Sequence, residues 1–343
     1  MDINKISKCM SKALRENIVI ISMEKISEGL HSDGFKLTAS NGKKYFLKKN
    51  KSFDLGFSTP ERRLSSFMLN HRMANRMKEK PLSIGVFLEN ESEIVKLKEL
   101  KDDTLFFNIQ EFEDLGDNYF QTLIKRKNKQ SLDNEDITEV DKIVDYLIRL
   151  HSIKYVGDDN LKKIIYNDSL RTIFTHPELT FTFLQRMDKE VMSLELQKEI
   201  VNIMLDIMHN WRDKSYRLVA IHGDFWVGNI FFKENKNISL IDHSRIPWGD
   251  PGIDLGWLIA QYISFYTETN NKYFKELGEL IIKRYEEKSK DKEIRKAMII
   301  GLTSALIVAL PSNPKSIEEK ENAKRLVSEV LKIIKSGEFS WQQ

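Results

Sequence analysis

The sequence predicts an α+β chain of two lobes, a small sheet-rich lobe over residues 1–112 and a larger, mostly helical lobe over residues 113–343. Three observations predict it. β-Prone runs joined by glycine-bearing turns crowd the first third of the chain, and Leu115-Gly116-Asp117 breaks that pattern. Beyond the break, apolar residues recur mainly at helical spacing. With 343 residues, 41% of them hydrophobic, the chain can bury cores in both lobes.

In the small lobe, Ile6, Met10 and Leu14 share one face of a helix over 1–16 that would lie against a sheet. Ile18–Ile26, Phe35–Thr38 and Tyr45–Lys48 read as a three-strand meander, with Asn41-Gly42 as the second turn. The loop between the first two strands carries Gly29 and Gly34 as its flexible points. Those glycines have P-loop separation, but Phe35-Lys36-Leu37 follows where Lys-Ser/Thr is required, so a P-loop is excluded. Thr59-Pro60-Glu61 reads as the N-cap and first turn of a helix to about Met77. Ile84–Phe87, Glu93–Leu97 and Thr104–Phe112 read as further strands.

The large lobe reads as helices at Ile137–Ser152, within Phe181–Arg212, and at Trp257–Phe265, Lys272–Lys290, Ala297–Leu310 and Glu318–Lys335. Ala297–Leu310 is the most apolar run. It ends at Pro311 and is short for a bilayer span, so a buried core helix is expected and membrane insertion is not.

Charge and cysteine usage bound the partners. With 54 basic and 51 acidic residues the net charge is only +3, so no nucleic-acid footprint is expected. The single Cys9 excludes an internal disulfide framework and favours a reducing compartment, and the N-terminus shows no apolar signal segment. A cytoplasmic location is the expectation. Oligomeric state is not legible.

One stretch carries chemistry. Ile221-His222-Gly223-Asp224-Phe225-Trp226-Val227-Gly228-Asn229-Ile230 is followed by Leu240-Ile241-Asp242. Ile230-Phe231-Phe232 and Ile238-Ser239-Leu240-Ile241 flank a polar turn, so they read as a hairpin. Folding it about Asn235-Lys236 sets Asn229 opposite Asp242, at an open end beside Asp224. Phosphoryl transfer to a hydroxyl needs a carboxylate to take the hydroxyl proton and oxygen ligands for Mg²⁺ on the nucleotide phosphates. Asp224 suits the first role, Asn229 and Asp242 the second, because Mg²⁺ takes a few oxygen ligands and keeps several waters. A purely structural alternative has Asp224 and Asn229 capping a turn and Asp242 ending a strand.

The loop departs from the protein-kinase form, since Gly223 stands where that form has Arg and His243-Ser244 follows Asp242 in place of Phe-Gly. It resembles instead the aminoglycoside phosphotransferase and choline kinase-like superfamily, whose loop reads His-Gly-Asp-x-x-x-x-Asn. Gly249-Asp250-Pro251-Gly252-Ile253-Asp254-Leu255 matches that family's Gly-Asp-Pro-x-x-Asp-Leu, and Leu147-Ile148-Arg149-Leu150-His151 matches its Leu-x-x-Leu-His.

The resemblance implies a two-lobed protein-kinase-like fold and a small-molecule kinase using ATP, with GTP as the alternative nucleotide, and Mg²⁺. It implies a strand lysine on the phosphates, and Lys48 fits, sharing a face with Phe46 while Tyr45 and Leu47 share the other. Lys44 and Lys49 are competitors. Glu61 would pair with that lysine, or simply favour the positive end of its helix. Backbone groups of Glu111 and Phe112 would bind the adenine at the hinge. His151, His222 and Asp254 would brace the catalytic loop. The acceptor is expected to be an aminoglycoside, amino sugar or other sugar-like molecule; Trp226, Tyr262, Tyr266 and Glu268 are candidate lining residues, with ordinary helix packing as an equal alternative for them. Choline or ethanolamine is the alternative, disfavoured by Arg245 near a cationic ligand. A protein-side-chain kinase and a non-catalytic nucleotide-binding scaffold are further alternatives.

Overall fold

A computed structural model describes residues 2–28, 32–51, 64, 65, 67–69, 71, 83–88, 106–112, 115–175, 188–233, 237–243, 246–309 and 314–341. The chain forms two compact units, Met1–Asp114 with Ile241–Arg245, and Leu115–Leu240 with Ile246–Gln343. The excursion of Ile241–Arg245 into the first unit means the division is not a single cut in the sequence.

The first unit is built on a five-stranded sheet of order β1-β2-β3-β5-β4. Its strands are β1 (Ile20–Glu28), β2 (Ser32–Ala39), β3 (Lys44–Asn50), β4 (Ser83–Leu88) and β5 (Phe106–Glu111). Every pairing is antiparallel. Helix α1 (Ile3–Leu14) is capped by Asp2, whose side chain accepts from the Asn4 N–H at 2.8 Å. Two serines on α1 attach it to the sheet. The Ile20 N–H donates to Ser7 Oγ (2.9 Å) and the Ile18 N–H to Ser11 Oγ (2.8 Å). This orientation buries Ile6 and Met10 against Leu37, Tyr45, Leu47 and Ile109, one continuous apolar face. Period-two alternation sends Phe46 and Lys48 to the opposite face. There Lys48 pairs with Gly34 on β2 and Asn108 on β5. Gly34 leaves room there for neighbouring side chains, since a Cβ on it would lie 2.1 Å from Ser27 Oγ and 2.8 Å from the Phe46 ring.

The second unit begins at a sharp turn. Gly116 has φ +80°, and a Cβ there would come within 2.2 Å of the Phe232 carbonyl oxygen, so only glycine lets the chain pass this close. Strand β6 (Asp117–Asn118) then pairs with β8 (Ile230–Phe232), itself paired with β9 (Ile238–Leu240). A second small ribbon joins β7 (Val219–Ala220) to β10 (Trp248–Gly249). Around these lie α2 (Tyr119–Lys125), α3 (Asn134–His151), α4 (Asp159–Thr175), α5 (Leu194–Trp211), α6 (Pro251–Thr269), α7 (Lys272–Ser289), α8 (Ile294–Ala309) and α9 (Ile317–Ser336). Helices α6 and α8 pack at backbone distance. A Cβ on Gly252 would sit 2.3 Å from the Ala297 carbonyl carbon, one on Gly256 2.4 Å from Met298 O, and one on Gly301 2.3 Å from Ile253 O. The fully buried Ile253, Leu255 and Leu258 complete this core.

Several boundaries differ from the sequence expectation. Helix α3 starts at Asn134, three residues before Ile137, because Asp133 and Asp136 form a reciprocal capping box ahead of the apolar stripe. Helix α6 starts at Pro251 and not after the Pro-Gly pair: Asp250 is its N-cap, so Pro251 and Gly252 form its first turn. The apolar run expected as a core helix is α8, and no described helix is long and apolar enough to cross a membrane. Of the helix expected from Thr59 to Met77, residues 64, 65, 67–69 and 71 are described, and all are helical. Gly29, Glu61, the strand expected at Glu93–Leu97, the Asn235-Lys236 turn and Arg245 lie outside the described residues.

Candidate functional site

The loop between β7 and β8 is held by a buried carboxylate. Asp254, in the first turn of α6, is fully buried and accepts the N–H groups of His222 and Gly223 on its two oxygens, each at 2.8 Å. His151 Nε2 lies 3.2 Å from Asp254 Oδ2, and His151 Nδ1 lies 2.8 Å from the Tyr285 hydroxyl. A neutral imidazole satisfies both contacts if Nε2–H donates to the carboxylate and Nδ1 accepts from the phenol. Burial pushes the Tyr285 phenol well above its usual range, so it stays a donor at neutral pH. Thus His151 orients the carboxylate that holds the loop, and the bracing expected of both residues is observed.

The loop's shape follows from two further features. Gly223 has φ +78°, and a Cβ on it would meet Ile246 O at 2.8 Å. The Asp224 N–H donates to His222 Nδ1 (3.3 Å), which fixes the histidine as a loop brace. Phe225 is fully buried, edge-on to His222 and stacked on Tyr146, so it anchors the chain and turns the neighbouring Asp224 outward to partial exposure.

Asn229 closes the constellation. Its Nδ2 donates to the Asp224 backbone carbonyl (2.9 Å), and the Trp226 N–H donates to the same oxygen (2.9 Å). With the amide nitrogen engaged, the Asn229 carbonyl oxygen is left as the acceptor and potential ligand atom. The hairpin after it has Ile230↔Leu240, Phe231↔Ser239 and Phe232↔Ile238, and the Lys233 N–H donates to Asn237 O at 2.9 Å. This corrects the expected register by one residue. The loop is centred on a single residue and not between two, so Asn229 and Asp242 are not partners; they lie one and two residues beyond the last pair.

Asp242 belongs to the first unit. Its backbone has φ 65°, in the left-handed region that few residues other than glycine adopt. Its Oδ1 lies 2.9 Å from Lys48 Nζ, with the two side chains 30% and 21% exposed. Lys48 thus reaches the carboxylate expected to hold the metal. The Asn229 amide oxygen in the second unit and the Asp242 carboxylate in the first are each oxygen donors of the kind that Mg²⁺ takes. Among the described residues no group of three or more His, Cys, Asp or Glu side chains forms an alternative metal centre.

At the other end of the small sheet, Glu111 ends β5 opposite Tyr45, and the Phe112 N–H donates to Lys44 O at 3.2 Å. That amide is engaged by the sheet. Lys36 Nζ sits 5.5 Å from the Phe112 ring centroid. Of the candidate acceptor-lining residues, Tyr262 is fully buried with its hydroxyl on Tyr119 (3.0 Å), which makes it core. Glu268 forms an exposed ion pair with Lys127. Trp226 lies 5.9 Å from the Phe120 ring, and Tyr266 5.9 Å from Trp341, both half-buried.

Supporting residues appear that sequence reasoning did not find. Arg217 forks onto Asp250 through Nε (2.6 Å) and Nη2 (3.0 Å), while its Nη1 and Nη2 reach Asp291 at 2.9 and 2.8 Å. Asp250 also caps α6 through the Gly252 N–H (2.9 Å) and accepts from Tyr166 (2.9 Å). The pair is buried and its hydrogen bonds are saturated, the condition under which a buried ion pair is tolerated. Asn118 donates from Nδ2 to Gly228 O (2.9 Å) while its Oδ1 caps α2 at the Gln121 N–H. An asparagine opening a helix is a readable cap signal, whereas nothing local marks Arg217 or Tyr285.

Comparison with known proteins bears on this geometry. No curated protein matches the chain in sequence. Among solved structures, an APH(2'')-IIa ternary complex with streptomycin and ATP aligns with a TM-score of 0.52 at 18% identity, covering 90% of both chains. An ethanolamine kinase from Plasmodium vivax aligns at 0.54 and 13% identity, covering 92% of this chain and 84% of that one. The choline kinase LicA from Streptococcus pneumoniae aligns at 0.51 and 14% identity, covering 97% and 99%. The fold is therefore the protein-kinase-like fold of these enzymes, a sheet-containing N-terminal part followed by a mostly helical remainder. A model of the phosphotransferase enzyme family matches residues 119–296, which is more than half of the 343 residues and contains the whole Asp254-braced loop. The chain belongs to the phosphotransferase enzyme family.

Proposed function

We propose that the chain is a Mg²⁺-dependent kinase that transfers the γ-phosphoryl group of ATP, with GTP as a possible substitute, to a hydroxyl of an aminoglycoside, amino sugar or other sugar-like small molecule. The observation that carries this reading is the loop geometry. One buried carboxylate fixes the backbone at His222 and Gly223, and the Asn229 amide is tied to the Asp224 carbonyl. A carboxylate with partial exposure and an amide oxygen are thereby presented from one rigid turn.

In this reading Asp224 accepts the acceptor's hydroxyl proton as the oxygen attacks. Asn229 Oδ1 and the Asp242 carboxylate would hold Mg²⁺, which would offset the charge of the nucleotide phosphates. Lys48, which reaches Asp242 in the structure, holds phosphate oxygens. Glu61 is assigned as the partner of Lys48 on the strength of family resemblance alone. Backbone groups of Glu111 and Phe112 would hydrogen-bond the adenine. Positioning and preorganised charge supply the rate, with no covalent intermediate.

The test is an ADP-release assay with ATP or GTP and Mg²⁺ across aminoglycosides, choline, ethanolamine and sugars. Acceptor-dependent turnover that disappears in Asp224→Ala is the expected result. Turnover with choline or ethanolamine but no sugar would replace the acceptor class. Silence across the panel, with nucleotide still bound, would move the reading toward a non-catalytic nucleotide-binding protein.

A further inference from the structure

The chain enters the second unit at Gly116, and three successive contacts attach that entry segment to the loop bearing Asn229. Gly116 approaches the Phe232 backbone so closely that no side chain fits. Next, Asp117 and Asn118 pair with Phe232 and Phe231. Finally, Asn118 Nδ2 donates to the carbonyl of Gly228, the residue immediately before Asn229, at 2.9 Å. That carbonyl belongs to the peptide joining Gly228 to Asn229, so the hydrogen bond sets the plane from which the Asn229 side chain departs. The Asn229 amide is then held from its other end by the Asp224 carbonyl.

We propose that Asn118 is a positioning residue for the metal ligand Asn229, acting by fixing the Gly228–Asn229 peptide plane. The inference rests on the reading of Asn229 as a metal ligand. The alternative role is purely structural, because the same side chain caps α2 through its Oδ1 (3.3 Å to the Gln121 N–H). The two roles use different atoms of one amide and are separable. Serine and aspartate cap helices about as well as asparagine. Neither has an N–H to donate, and serine is also too short to reach from the cap position to Gly228.

The experiment measures nucleotide affinity by calorimetry with and without Mg²⁺, and thermal midpoint, for Asn118→Ser, Asn118→Asp and Asn229→Ala. Partners that orient a metal ligand typically change metal affinity by about tenfold or more. The expected result is that Asn118→Ser keeps the thermal midpoint and the metal-free nucleotide affinity, while the Mg²⁺ concentration that half-saturates the nucleotide enhancement rises by about tenfold. Asn118→Asp should shift it in the same direction. If Asn229→Ala shifts the Mg²⁺ dependence and Asn118→Ser does not, the positioning role is overturned. If neither shifts it, the metal reading of Asn229 fails first. A fall in thermal midpoint in Asn118→Ser without a change in Mg²⁺ dependence would leave capping as its whole role and also overturn the proposal.

Discussion

The Asp224 loop and the Lys48–Asp242 pair carry neighbouring roles in the proposed chemistry but are built in opposite ways. The loop is held by groups that are themselves almost fully buried: Asp254 at 0%, His222 at 1% and Tyr285 at 2% exposure. Its hydrogen bonds run from backbone N–H groups to a carboxylate, the charge-assisted kind that remains strong where water is excluded. Lys48 and Asp242 meet through an ion pair between side chains that are each partly open to solvent. One region is fixed by buried backbone contacts. In the proposed reading the other is a charge pair that nucleotide and metal would rearrange.

If that contrast is right, substitutions should rank by how deeply they reach into the rigid region. The largest effect is expected for Asp224→Ala, with turnover reduced by about a thousandfold or more while nucleotide still binds. Normal turnover there would remove Asp224 from the proton-accepting role. Next is Asp254→Asn, which leaves one oxygen to serve two N–H groups and places an amide NH₂ against one of them. Displacing the loop by even a fraction of an ångström should lower kcat by about a hundredfold, with a stability loss of about 2–4 kcal/mol in a denaturant melt. A variant with unchanged kcat and midpoint would show that the loop keeps its shape without the carboxylate.

Lys48→Met should do less, raising the nucleotide KM by about tenfold with a smaller change in kcat, since one charge-assisted contact is lost. An unchanged KM would shift the phosphate role to another lysine. The smallest effect should come from Lys43→Ala, which removes an exposed pair with Glu16 whose partners are 58% and 55% exposed. Its stability change should stay within about 0.5 kcal/mol and its activity should match the parent.

The same contrast explains what could be read from the sequence. Local features were legible. The Asn41-Gly42 turn, the break at Gly116 and the apolar stripe of α3 each declare themselves within a few residues. The candidate residues Asp224 and Asn229 stand five apart on one loop, so their proximity needed no tertiary information. The hairpin register was missed by one residue, because a polar run such as Lys233–Asn237 can close about one residue or about two with no change in the flanking apolar pattern. Which groups of Phe112 and Tyr262 stay available is decided by strand pairing and helix packing and not by residue type, so it is not readable from the sequence. Arg217 and Tyr285 were invisible for a related reason. Tyr285 reaches His151 across 134 positions and Arg217 reaches Asp291 across 74, and a single sequence carries no periodicity that links such partners.

Asp242 sits at φ 65°, and so carries a backbone cost of about 1 kcal/mol or more that glycine would not incur. Its Oδ1 is paired with Lys48 Nζ. A selection for heat resistance alone, blind to turnover, should tolerate Asp242→Gly, whereas a selection for phosphoryl transfer should reject it. Deep mutational libraries screened under the two conditions would separate at this codon more sharply than at the buried Asp254, where folding and chemistry demand the same residue. Position 242 is thus a place where an engineer could raise the melting temperature of a binding scaffold by discarding the enzyme.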